Sequence, residues 1–332
     1  VTGFSRYVFV KPPGTIEIAE MGKKLLIDVD TGVDDAHALI LALSQPEVEV
    51  LGITCVHGNV DLDQVCKNTL RVLKVCGKMN VPVYRGSAKP ILGYQVNASH
   101  YHGKDGLGGK ADMVEVDAGL VQSEPAVLAM LRLVNHYPGE ITLVALAPLT
   151  NIALALKIDP DFGKKLKDLT VMGGNIEGRG NVTVSAEFNF GADPEAASIV
   201  LSEMKCKLSL MSWETNLQSC QPWEWAKKWL ATDTQKGRFI NAISQTIVTA
   251  QRQVVDRPFF RSCDLFTMAT IVDPDVITET KDVHAVVELH GQITRGQMVV
   301  DWRGLLAQEP NVRLITKIDK DRARVLFEGM IL

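Results

Sequence analysis

Apolar and polar positions along the chain alternate between short apolar runs and longer stretches with helical spacing. Residues 23–30 (KKLLIDVD) form an apolar run that predicts a strand. Residues 34–45 repeat apolar side chains at helical spacing, and Pro46 ends the pattern. Residues 48–56 (VEVLGITCV) predict a second strand. Because strands and helices take turns, we expect a mostly parallel sheet with helices on both faces.

The same rhythm continues along the chain to residue 213. The predicted helices after the second strand are residues 62–77, 125–138, 150–158 and 194–204. The strands predicted between them are residues 81–86, 140–147, 166–174 and 207–213. Residues 88–117 are rich in glycine and polar side chains, which predicts a long loop region.

The remainder of the chain follows a different pattern. Residues 222–272 have mainly helical spacing, and we predict that they form a helical cap. Strand-like alternation returns in residues 283–291, 296–302 and 312–318, which predicts a late hairpin.

Composition indicates one large globular domain. Hydrophobic residues make up 46% of the 332 positions, which is enough to build a sizeable core. No repeat or Pro/Ser linker divides the chain. We therefore predict a single α/β domain over residues 21–332, with an open, mostly parallel, Rossmann-like sheet. Residues 1–20 are expected to form an extension outside that domain.

Charge and cysteine content limit the partners and the compartment. A net charge of −4 provides no basic field for nucleic acid, and no apolar run reaches the roughly 18–20 residues of a membrane span. We therefore expect neither nucleic acid nor a membrane as partner. Six cysteines without metal-site spacing predict free thiols and a cytoplasmic location. Two sequons, at Asn97 and Asn181, keep a secreted location open.

A cluster of four aspartates, Asp28, Asp30, Asp34 and Asp35, lies at the end of the first predicted strand. Loops after parallel strands meet at one edge of the sheet, where α/β proteins bind ligands. Helix capping explains one aspartate at this position, but not four. Carboxylates this close repel one another and have raised pKa values unless a cation neutralises them. A divalent ion with oxygen ligands is the simplest explanation.

A phosphatase hypothesis competes with the metal site. A D-x-D motif after a strand is also typical of haloacid-dehalogenase-like phosphatases, which use an aspartyl nucleophile. Their pattern has threonine four residues after the first aspartate, where this chain has Gly32. It also leaves Asp34 and Asp35 unexplained, so this hypothesis is the weaker one.

Seven short motifs occur in order along the chain. They are DVDTGVDDA (28–36), HGN (57–59), HGKDGLGG (102–109), LVALAPLTNIA (143–153), VMGG (171–174), AEFNFGADPEAA (186–197) and CDLFTMATIVDP (263–274). Together they resemble the motifs of the inosine–uridine-preferring nucleoside hydrolases. One such motif alone would be weak, but the ordered set is specific, and it spans residues 25 to about 275. The resemblance implies the Rossmann-like nucleoside hydrolase fold and a homodimer or homotetramer.

The resemblance also implies a reaction and a metal. The enzyme would use Ca²⁺ to hydrolyse the N-glycosidic bond of a ribonucleoside, giving free base and ribose. The implied calcium ligands are Asp30, Asp35, the main-chain carbonyl of Leu146 and Asp264. Asp30 would also be the base that deprotonates the attacking water, and Asp28 would orient the first loop.

Sugar binding is implied for five further residues. Asp34 and Asn59 would hold the 2′- and 3′-hydroxyls of the ribose. Glu187 and Asn189 would hold the 5′-hydroxyl region, and Met172 would pack on the sugar. These acids favour an oxocarbenium-like sugar in the transition state and disfavour phosphates, so nucleosides are expected rather than nucleotides.

Cys263 is the main departure from the family pattern. Many members have histidine directly before the last metal-binding aspartate, and that histidine is considered the proton donor to the departing base. A cysteine thiol can donate a proton but does not replace an imidazolium, and a small buried thiol is the alternative interpretation. Leaving-group activation could instead come from solvent or from Trp223, Trp225, Arg252, Arg257 or Arg261. A non-catalytic or very slow nucleoside or ribose binder is therefore the alternative function.

Aromatic side chains and one histidine complete the candidates for ligand contact. His102 lies on the glycine-rich loop, where closure of the loop would bring it to the ligand. Trp223, Trp225 and Trp229 cluster in a predicted helix. They could stack on the base or pack in the core or cap, and the sequence leaves both interpretations open.

Overall fold

The computed structural model describes residues 22–253 and 259–332. The predicted extension over residues 1–20 and the candidate Arg257 lie outside the described residues. Among the described residues, Cys55, Cys66, Cys76, Cys206 and Cys263 form no disulfide. In the two described stretches, no helix combines the length and the apolar character that crossing a lipid bilayer requires.

The strands of the described residues include a central sheet of eight. In chain order the strands are β1 (Lys23–Val29), β2 (Val48–Cys55), β3 (Val83–Arg85), β4 (Ile141–Ala145), β5 (Asp168–Met172), β6 (Lys207–Met211), β7 (Gln221–Pro222), β8 (Phe259–Phe260), β9 (Ile277–Val283), β10 (Ala285–Val287), β11 (Met298–Val300) and β12 (Val312–Ile318). The order in the central sheet is β3-β2-β1-β4-β5-β6-β12-β9. All its pairings are parallel except that of β9 with β12. The prediction of an open, mostly parallel sheet is confirmed.

Helices connect the strands and cover the sheet. In chain order the α-helices are α1 (Val33–Ser44), α2 (Leu62–Val75), α3 (Ser99–His102), α4 (Ala126–His136), α5 (Thr150–Ile158), α6 (Phe188–Ala192), α7 (Pro194–Glu203), α8 (Trp213–Gln218), α9 (Trp223–Leu230), α10 (Gln235–Gln253), α11 (Cys263–Val272) and α12 (Lys320–Gly329). Short 3₁₀ turns cover Ala111–Met113, Ala118–Leu120, Gly163–Lys165 and Pro274–Val276.

The centre of the sheet is the place where the strand order reverses. Strand β1 pairs with β2 on one side and with β4 on the other. Residues 25–29 of β1 are completely buried, as expected of a strand that helices cover on both faces. In such sheets the crevice at the carboxyl ends of the two diverging strands is where ligands bind. The loops after β1, β2 and β4 therefore border the expected site.

The helical prediction for residues 222–272 is confirmed by α9, α10 and α11, but α11 does not belong to a cap. Every residue of α11 is buried, and this helix packs against α1, which is also almost wholly buried. Helices that are apolar on all sides occupy the core. Because α11 is fixed in this way, the residues at its first turn are held rigidly against the loop after β1.

The late hairpin is confirmed only in part. Strands β10 and β11 form the predicted antiparallel pair. Strand β12, which was predicted with them, instead joins the central sheet parallel to β6. Strand β9 was not predicted, because its sequence ITETKDV is polar and mostly exposed. Charged, exposed side chains are typical of an edge strand, and the apolar alternation used for prediction is absent there.

Candidate active site

The loop after β1 carries the first group of acids. Asp30 lies between β1 and α1, and Asp34 and Asp35 lie in the first turn of α1. The Asp35 carboxylate accepts hydrogen bonds from the main-chain amides of Gly32 at 2.9 Å and of Asp30 at 3.3 Å. Capping of the helix therefore accounts for Asp35 in part, and it folds the loop back so that the three acids face the same side.

The loop after β2 closes on Asp30 from the other side. The main-chain amide of Asn59 donates a hydrogen bond to Oδ2 of Asp30 at 2.7 Å, and its side-chain amide donates to Oδ2 of Asp35 at 3.1 Å. Within the described residues, Oδ1 of Asp30 has no hydrogen-bond partner, and Asp30 lines the cavity described below. Asn59 thus fixes one oxygen of Asp30 and leaves the other for a ligand.

Asp264 joins the acids from a distant part of the chain. One carboxylate oxygen from each of Asp34, Asp35 and Asp264 lies within 4.8 Å of the others. Burial, followed by repulsion from neighbouring carboxylates, raises the pKa of Asp264 and of Asp30 well above the ordinary value and that of Asp35 to about 7. Among the described residues, no lysine or arginine forms an ion pair with any of these acids.

The donor set therefore fits a divalent cation. Buried carboxylates without a cationic side chain are costly unless a metal neutralises them. Oδ1 of Asp34 is buried and has no hydrogen-bond partner among the described residues, as expected of an atom placed for an ion or a ligand. The sequence analysis assigned Asp34 to the ribose hydroxyls and not to the metal. In the structure its carboxylate lies in the same cluster as those of Asp35 and Asp264.

The predicted carbonyl ligand, Leu146, follows β4 and lines the same cavity. Its oxygen accepts a hydrogen bond from the side-chain amide of Asn189 at 3.1 Å, and the same amide donates to the carbonyl oxygen of Met172 at 3.0 Å. Asn189 therefore joins the ends of β4 and β5. A carbonyl oxygen has two lone pairs, so the hydrogen bond leaves Leu146 able to accept a second partner.

Glu187 is buried at the start of α6. Its carboxylate accepts hydrogen bonds from the main-chain amides of Gly174 at 2.9 Å, Asn189 at 3.0 Å and Phe190 at 3.2 Å. Burial raises its pKa to about 7, against these hydrogen bonds, which lower it. Glu187 thus holds the loop after β5 and caps α6 while it also faces the cavity.

Asp28 is buried behind the loop and does not line the cavity. Its Oδ1 accepts hydrogen bonds from the Thr54 hydroxyl at 2.6 Å and from the Asn151 side-chain amide at 2.8 Å. Burial raises its pKa to about 7. These bonds connect β1 with β2 and α5, which is the arrangement that orientation of the first loop requires.

A cavity of about 460 Å³ opens onto these residues. It brings together nearly all the predicted site residues, which are Asp30, Asp34, Asn59, His102, Leu146, Met172, Glu187, Asn189, Cys263 and Asp264. Asp35 lies just behind them and contacts Asp30 and Asn59.

His102 is held against the first loop in its neutral form. Its Nδ1 accepts a hydrogen bond from the main-chain amide of Val33 at 3.2 Å and lies 3.8 Å from Oδ1 of Asp34. Burial lowers its pKa, which keeps the ring neutral and able to accept. The glycine-rich region 88–117 was predicted as a loop. It also includes the short helix α3, which places His102 at the cavity.

The structure decides between the two interpretations of the clustered tryptophans. Trp225 and Trp229 stack on each other, and the Trp229 indole donates to the carbonyl oxygen of Phe327 at 2.7 Å. Among the described residues, Trp223, Trp225 and Trp229 all lie outside the cavity, and the tryptophan in its wall is Trp213. Trp229 is buried, whereas Trp223 and Trp225 are half-buried. Trp225 and Trp229 can stack because residues four apart lie on the same face of a helix.

Other cavity residues were missed or left undecided by the sequence. Tyr101 of α3, Trp213 at the start of α8 and Ile247 of α10 line the wall. The position of Trp213 directly after a parallel strand was a usable signal, whereas Tyr101 and Ile247 carry none. Arg261, one of several candidates for leaving-group activation, lines the cavity beside Cys263.

Cys263 is the first residue of α11 and is buried in the cavity wall. Burial raises the pKa of its thiol well above the ordinary range. A buried thiol of this kind is a weak acid, which agrees with the interpretation of Cys263 as a small packing residue.

Comparison with known proteins agrees with the geometry. The family model for "Inosine-uridine preferring nucleoside hydrolase" matches residues 25–324. The chain is 33% identical to the inosine-uridine preferring nucleoside hydrolase of Leishmania major over 91% of this chain and 95% of that protein. It is 34% identical to the pyrimidine-specific ribonucleoside hydrolase RihB of Escherichia coli over 90% of this chain and 94% of that one.

Solved structures show the same similarity in three dimensions. An inosine-guanosine nucleoside hydrolase superposes with a TM-score of 0.86 at 30% identity, covering 93% of this chain and 98% of that one. The plant nucleoside hydrolase PpNRh1 superposes with a TM-score of 0.85, also at 30% identity and with the same coverage. The names of these relatives differ in the preferred base.

Proposed function

The chain belongs to the inosine-uridine preferring nucleoside hydrolase family and is a ribonucleoside hydrolase, and we propose that it works with one calcium ion and with Asp30 as base. Its products are the free base and ribose. The observation that carries the proposal is the convergence of Asp34, Asp35 and Asp264 beside Asp30. These acids come from two distant segments and gain nothing from proximity unless a cation is bound.

The calcium ion would be held by Asp30, Asp35, Asp264 and the Leu146 carbonyl, and Asp34 lies in the same cluster as Asp35 and Asp264. Ca²⁺ takes 6–8 oxygen ligands, so this set leaves positions for water and for hydroxyls of the sugar. When bound, a divalent ion lowers the pKa of a coordinated water.

Asp30 is suited to accept the proton of the attacking water. Asn59 holds one carboxylate oxygen in place, the other oxygen accepts no hydrogen bond among the described residues, and Asp30 lines the cavity. A base fixed in this way needs little reorganisation before it accepts a proton.

The sugar would be held by the other predicted contacts. Asp34 and Asn59 would bind the 2′- and 3′-hydroxyls, and Glu187 and Asn189 the 5′-hydroxyl, with Met172 packed on the ring and His102 closing over it. Carboxylates around the ribose stabilise the positive charge that develops as the glycosidic bond breaks.

A sugar-release assay tests the proposal. Reducing sugar would be measured from inosine, uridine, cytidine and adenosine, after EDTA treatment and after addition of Ca²⁺. We expect turnover that EDTA removes and Ca²⁺ restores, and we expect Asp30→Asn to abolish it. Asp112→Asn is the matched control, because Asp112 is exposed and distant from the cavity.

Two results would contradict the mechanism. Turnover by Asp30→Asn at the parent rate would exclude Asp30 as the base. If calorimetry shows that nucleosides bind but no sugar is released, the alternative function, a non-catalytic nucleoside binder, would be favoured.

A homodimer or homotetramer is also proposed, and sedimentation equilibrium of the full chain checks it.

A further inference from the structure

Arg261 places a buried positive charge in the wall of the cavity. The residue is only 5% exposed, and its Cζ atom lies 4.5 Å from the centre of the Trp213 ring. The Tyr101 hydroxyl contacts the guanidinium from another side. In the part of the chain that the structure describes, no carboxylate forms an ion pair with Arg261. A guanidinium has five N–H donors, so Arg261 keeps donors beyond its contacts with Trp213 and Tyr101, and it lines the cavity.

A second residue holds Arg261 in position without using its guanidinium. The Gln251 side chain accepts a hydrogen bond from the main-chain amide of Arg261 at 3.0 Å and donates to its carbonyl oxygen at 2.8 Å. The side-chain nitrogen of Gln251 also lies 2.6 Å from the Tyr101 hydroxyl. The backbone of Arg261 and the ring of Tyr101 are therefore fixed relative to each other, and Gln251 uses none of the guanidinium donors of Arg261.

We propose that Arg261 is the catalytic residue that stabilises the departing base, in the role that a histidine at position 263 would otherwise have. The inference rests on the proposed hydrolase function and assigns the group that acts on the leaving side of the reaction. Cys263 has one weak S–H donor and no positive charge, whereas a guanidinium has five N–H donors and a permanent charge.

The other candidates for this role lie elsewhere. Trp223, Trp225 and Arg252 do not line the cavity. Arg252 rests on the ring of Trp223, with Cζ 4.8 Å from the ring centre. Arg257 lies outside the described residues. Of the candidates that the structure describes, only Arg261 and Cys263 face the ligand space.

The proposed step leaves the proton of Arg261 in place. As the bond between C1′ and the base nitrogen breaks, its electron pair moves onto the base and spreads to ring nitrogen and carbonyl oxygen atoms. Arg261 donates charge-assisted hydrogen bonds to such an acceptor, so the base leaves as a stabilised anion and takes a proton from water. The attacking water forms the new bond to C1′ and gives one proton to Asp30. Asp30 then returns this proton to the hydroxide that is left when the base anion takes its proton from water. The products are ribose and the neutral base.

A permanently anionic ligand suits the site less well than a transient charge. Asp30, Asp34, Glu187 and Asp264 line the same cavity as Arg261. A 5′-phosphate would meet these carboxylates in the bound state, whereas the charge on a departing base exists only while the bond breaks. A group that acts on charge developing in the transition state raises kcat rather than affinity.

The test compares two substrates that differ only in the need for help to the leaving group. Inosine releases a poor leaving group, whereas p-nitrophenyl β-D-ribofuranoside releases a stable anion. The quantity measured is the ratio of kcat/KM for inosine to kcat/KM for the nitrophenyl riboside. This ratio does not depend on the fraction of enzyme that is folded.

We expect Arg261→Gln to lower the ratio by about 100-fold or more, the usual cost of removing one electrostatic donor. Arg261→Lys, which keeps the charge but not the planar fork, should lower it less. Arg252→Gln is the matched control, since it removes an arginine from a tryptophan face outside the cavity, and its ratio should equal that of the parent.

A ratio of the two kcat/KM values that is unchanged in Arg261→Gln would overturn the proposal. If Arg261→Gln does not fold, an unchanged ratio in Arg261→Lys would overturn it. The parent enzyme could also hydrolyse inosine 5′-monophosphate in preference to inosine, and Arg261→Gln could lose that preference. This result would overturn the proposal and show that the guanidinium binds a phosphate. If the parent enzyme cleaves neither riboside, it is the proposed calcium-dependent mechanism that fails, and the assignment of Arg261 falls with it.

Discussion

The main-chain amide of Asn59 donates a hydrogen bond to Oδ2 of Asp30 at 2.7 Å. This contact depends on Gly58, the residue that precedes Asn59. An ideal Cβ atom on Gly58 would lie 1.9 Å from the same oxygen. The loop after β2 therefore reaches the proposed base only because residue 58 has no side chain. The HGN motif is thus explained by close approach as much as by the polar groups of its other two residues.

Gly58→Ala is expected to lower kcat/KM by about 100-fold, because the new methyl group must displace the Asp30 carboxylate by an ångström or more. Calcium affinity, measured by isothermal titration calorimetry, should fall in parallel. Gly329→Ala is the control, since a Cβ atom at that position would meet none of the described side chains within 4 Å. Parent-like kcat/KM in Gly58→Ala would show that Asp30 does not need its observed position.

Removal of one acid from the cluster should stabilise the metal-free protein while it weakens metal binding. Asp264→Asn removes a buried negative charge from the neighbourhood of Asp34 and Asp35, so the Tm in EDTA should rise. In the parent, Ca²⁺ at about 100 times its Kd should add about 2.7 kcal/mol to the free energy of unfolding. That addition should be lost in Asp264→Asn.

Thermal unfolding with EDTA and with Ca²⁺ measures both effects. Asp112→Asn is the control because Asp112 is fully exposed, and it should keep the parent's calcium shift. If Ca²⁺ raises the Tm of Asp264→Asn as much as that of the parent, Asp264 is not a metal ligand. The proposed metal site would then have no ligand from α11.

The sequence predicted most of the fold because the strands of a parallel sheet are apolar and are separated by amphipathic helices. Strand β1 and helices α1 and α2 follow directly from this pattern. Strand β9 does not, because the edge of a sheet is polar and carries no periodic signal. Strand β12 was recognised as a strand but placed with the wrong partner, since pairing between distant segments leaves no mark in local sequence.

Candidate site residues that lie in short motifs are brought together at the cavity, whereas other parts of its wall depend on packing between distant segments. Asp30, Asn59 and Glu187 lie in ordered motifs, and each lines the cavity. Tyr101 was not predicted, and Arg261 was named only as one of several candidates. The fold brings the two together through Gln251. Contacts across helices α3 and α10 decide this part of the wall, and no local pattern reports them.

His57 should make the protein sensitive to acid. Its Nε2 bonds to the Thr150 hydroxyl at 3.0 Å, while its Nδ1 is buried without a partner among the described residues, so a second proton has no acceptor. Burial lowers its pKa to about 4, whereas an unfolded histidine has a pKa near 6.5. Between these values the unfolded chain binds more protons, so stability falls as pH decreases.

The free energy of unfolding should fall by up to about 3 kcal/mol from this group between pH 6.5 and 4. Urea unfolding at a series of pH values would show a shallower decline in His57→Gln than in the parent. His136→Gln is the control because His136 is exposed. Identical pH slopes in the parent and in His57→Gln would show that His57 accepts its proton in the folded state.

Glu187 has two separable roles, and a pair of substrates distinguishes them. Glu187→Gln places an amide donor against the main-chain N–H groups of Gly174 and Phe190 and should destabilise the fold by about 1–3 kcal/mol. If the carboxylate also binds the 5′-hydroxyl, the loss in kcat/KM should be larger for inosine than for 5′-deoxyinosine, which lacks that group. Comparison of the two substrates in the parent and the variant gives the coupling directly.

Glu214→Gln is a matched control for this measurement. Glu214 is also buried, and it accepts from the main-chain amides of Ile176 at 2.8 Å and Glu177 at 2.9 Å, but it does not line the cavity. Its substitution should lower stability to a similar degree and change both substrates by the same factor. The same factor for both substrates in Glu187→Gln would restrict Glu187 to holding the loop after β5. A larger loss for inosine shows that one carboxylate both builds the pocket and binds the sugar.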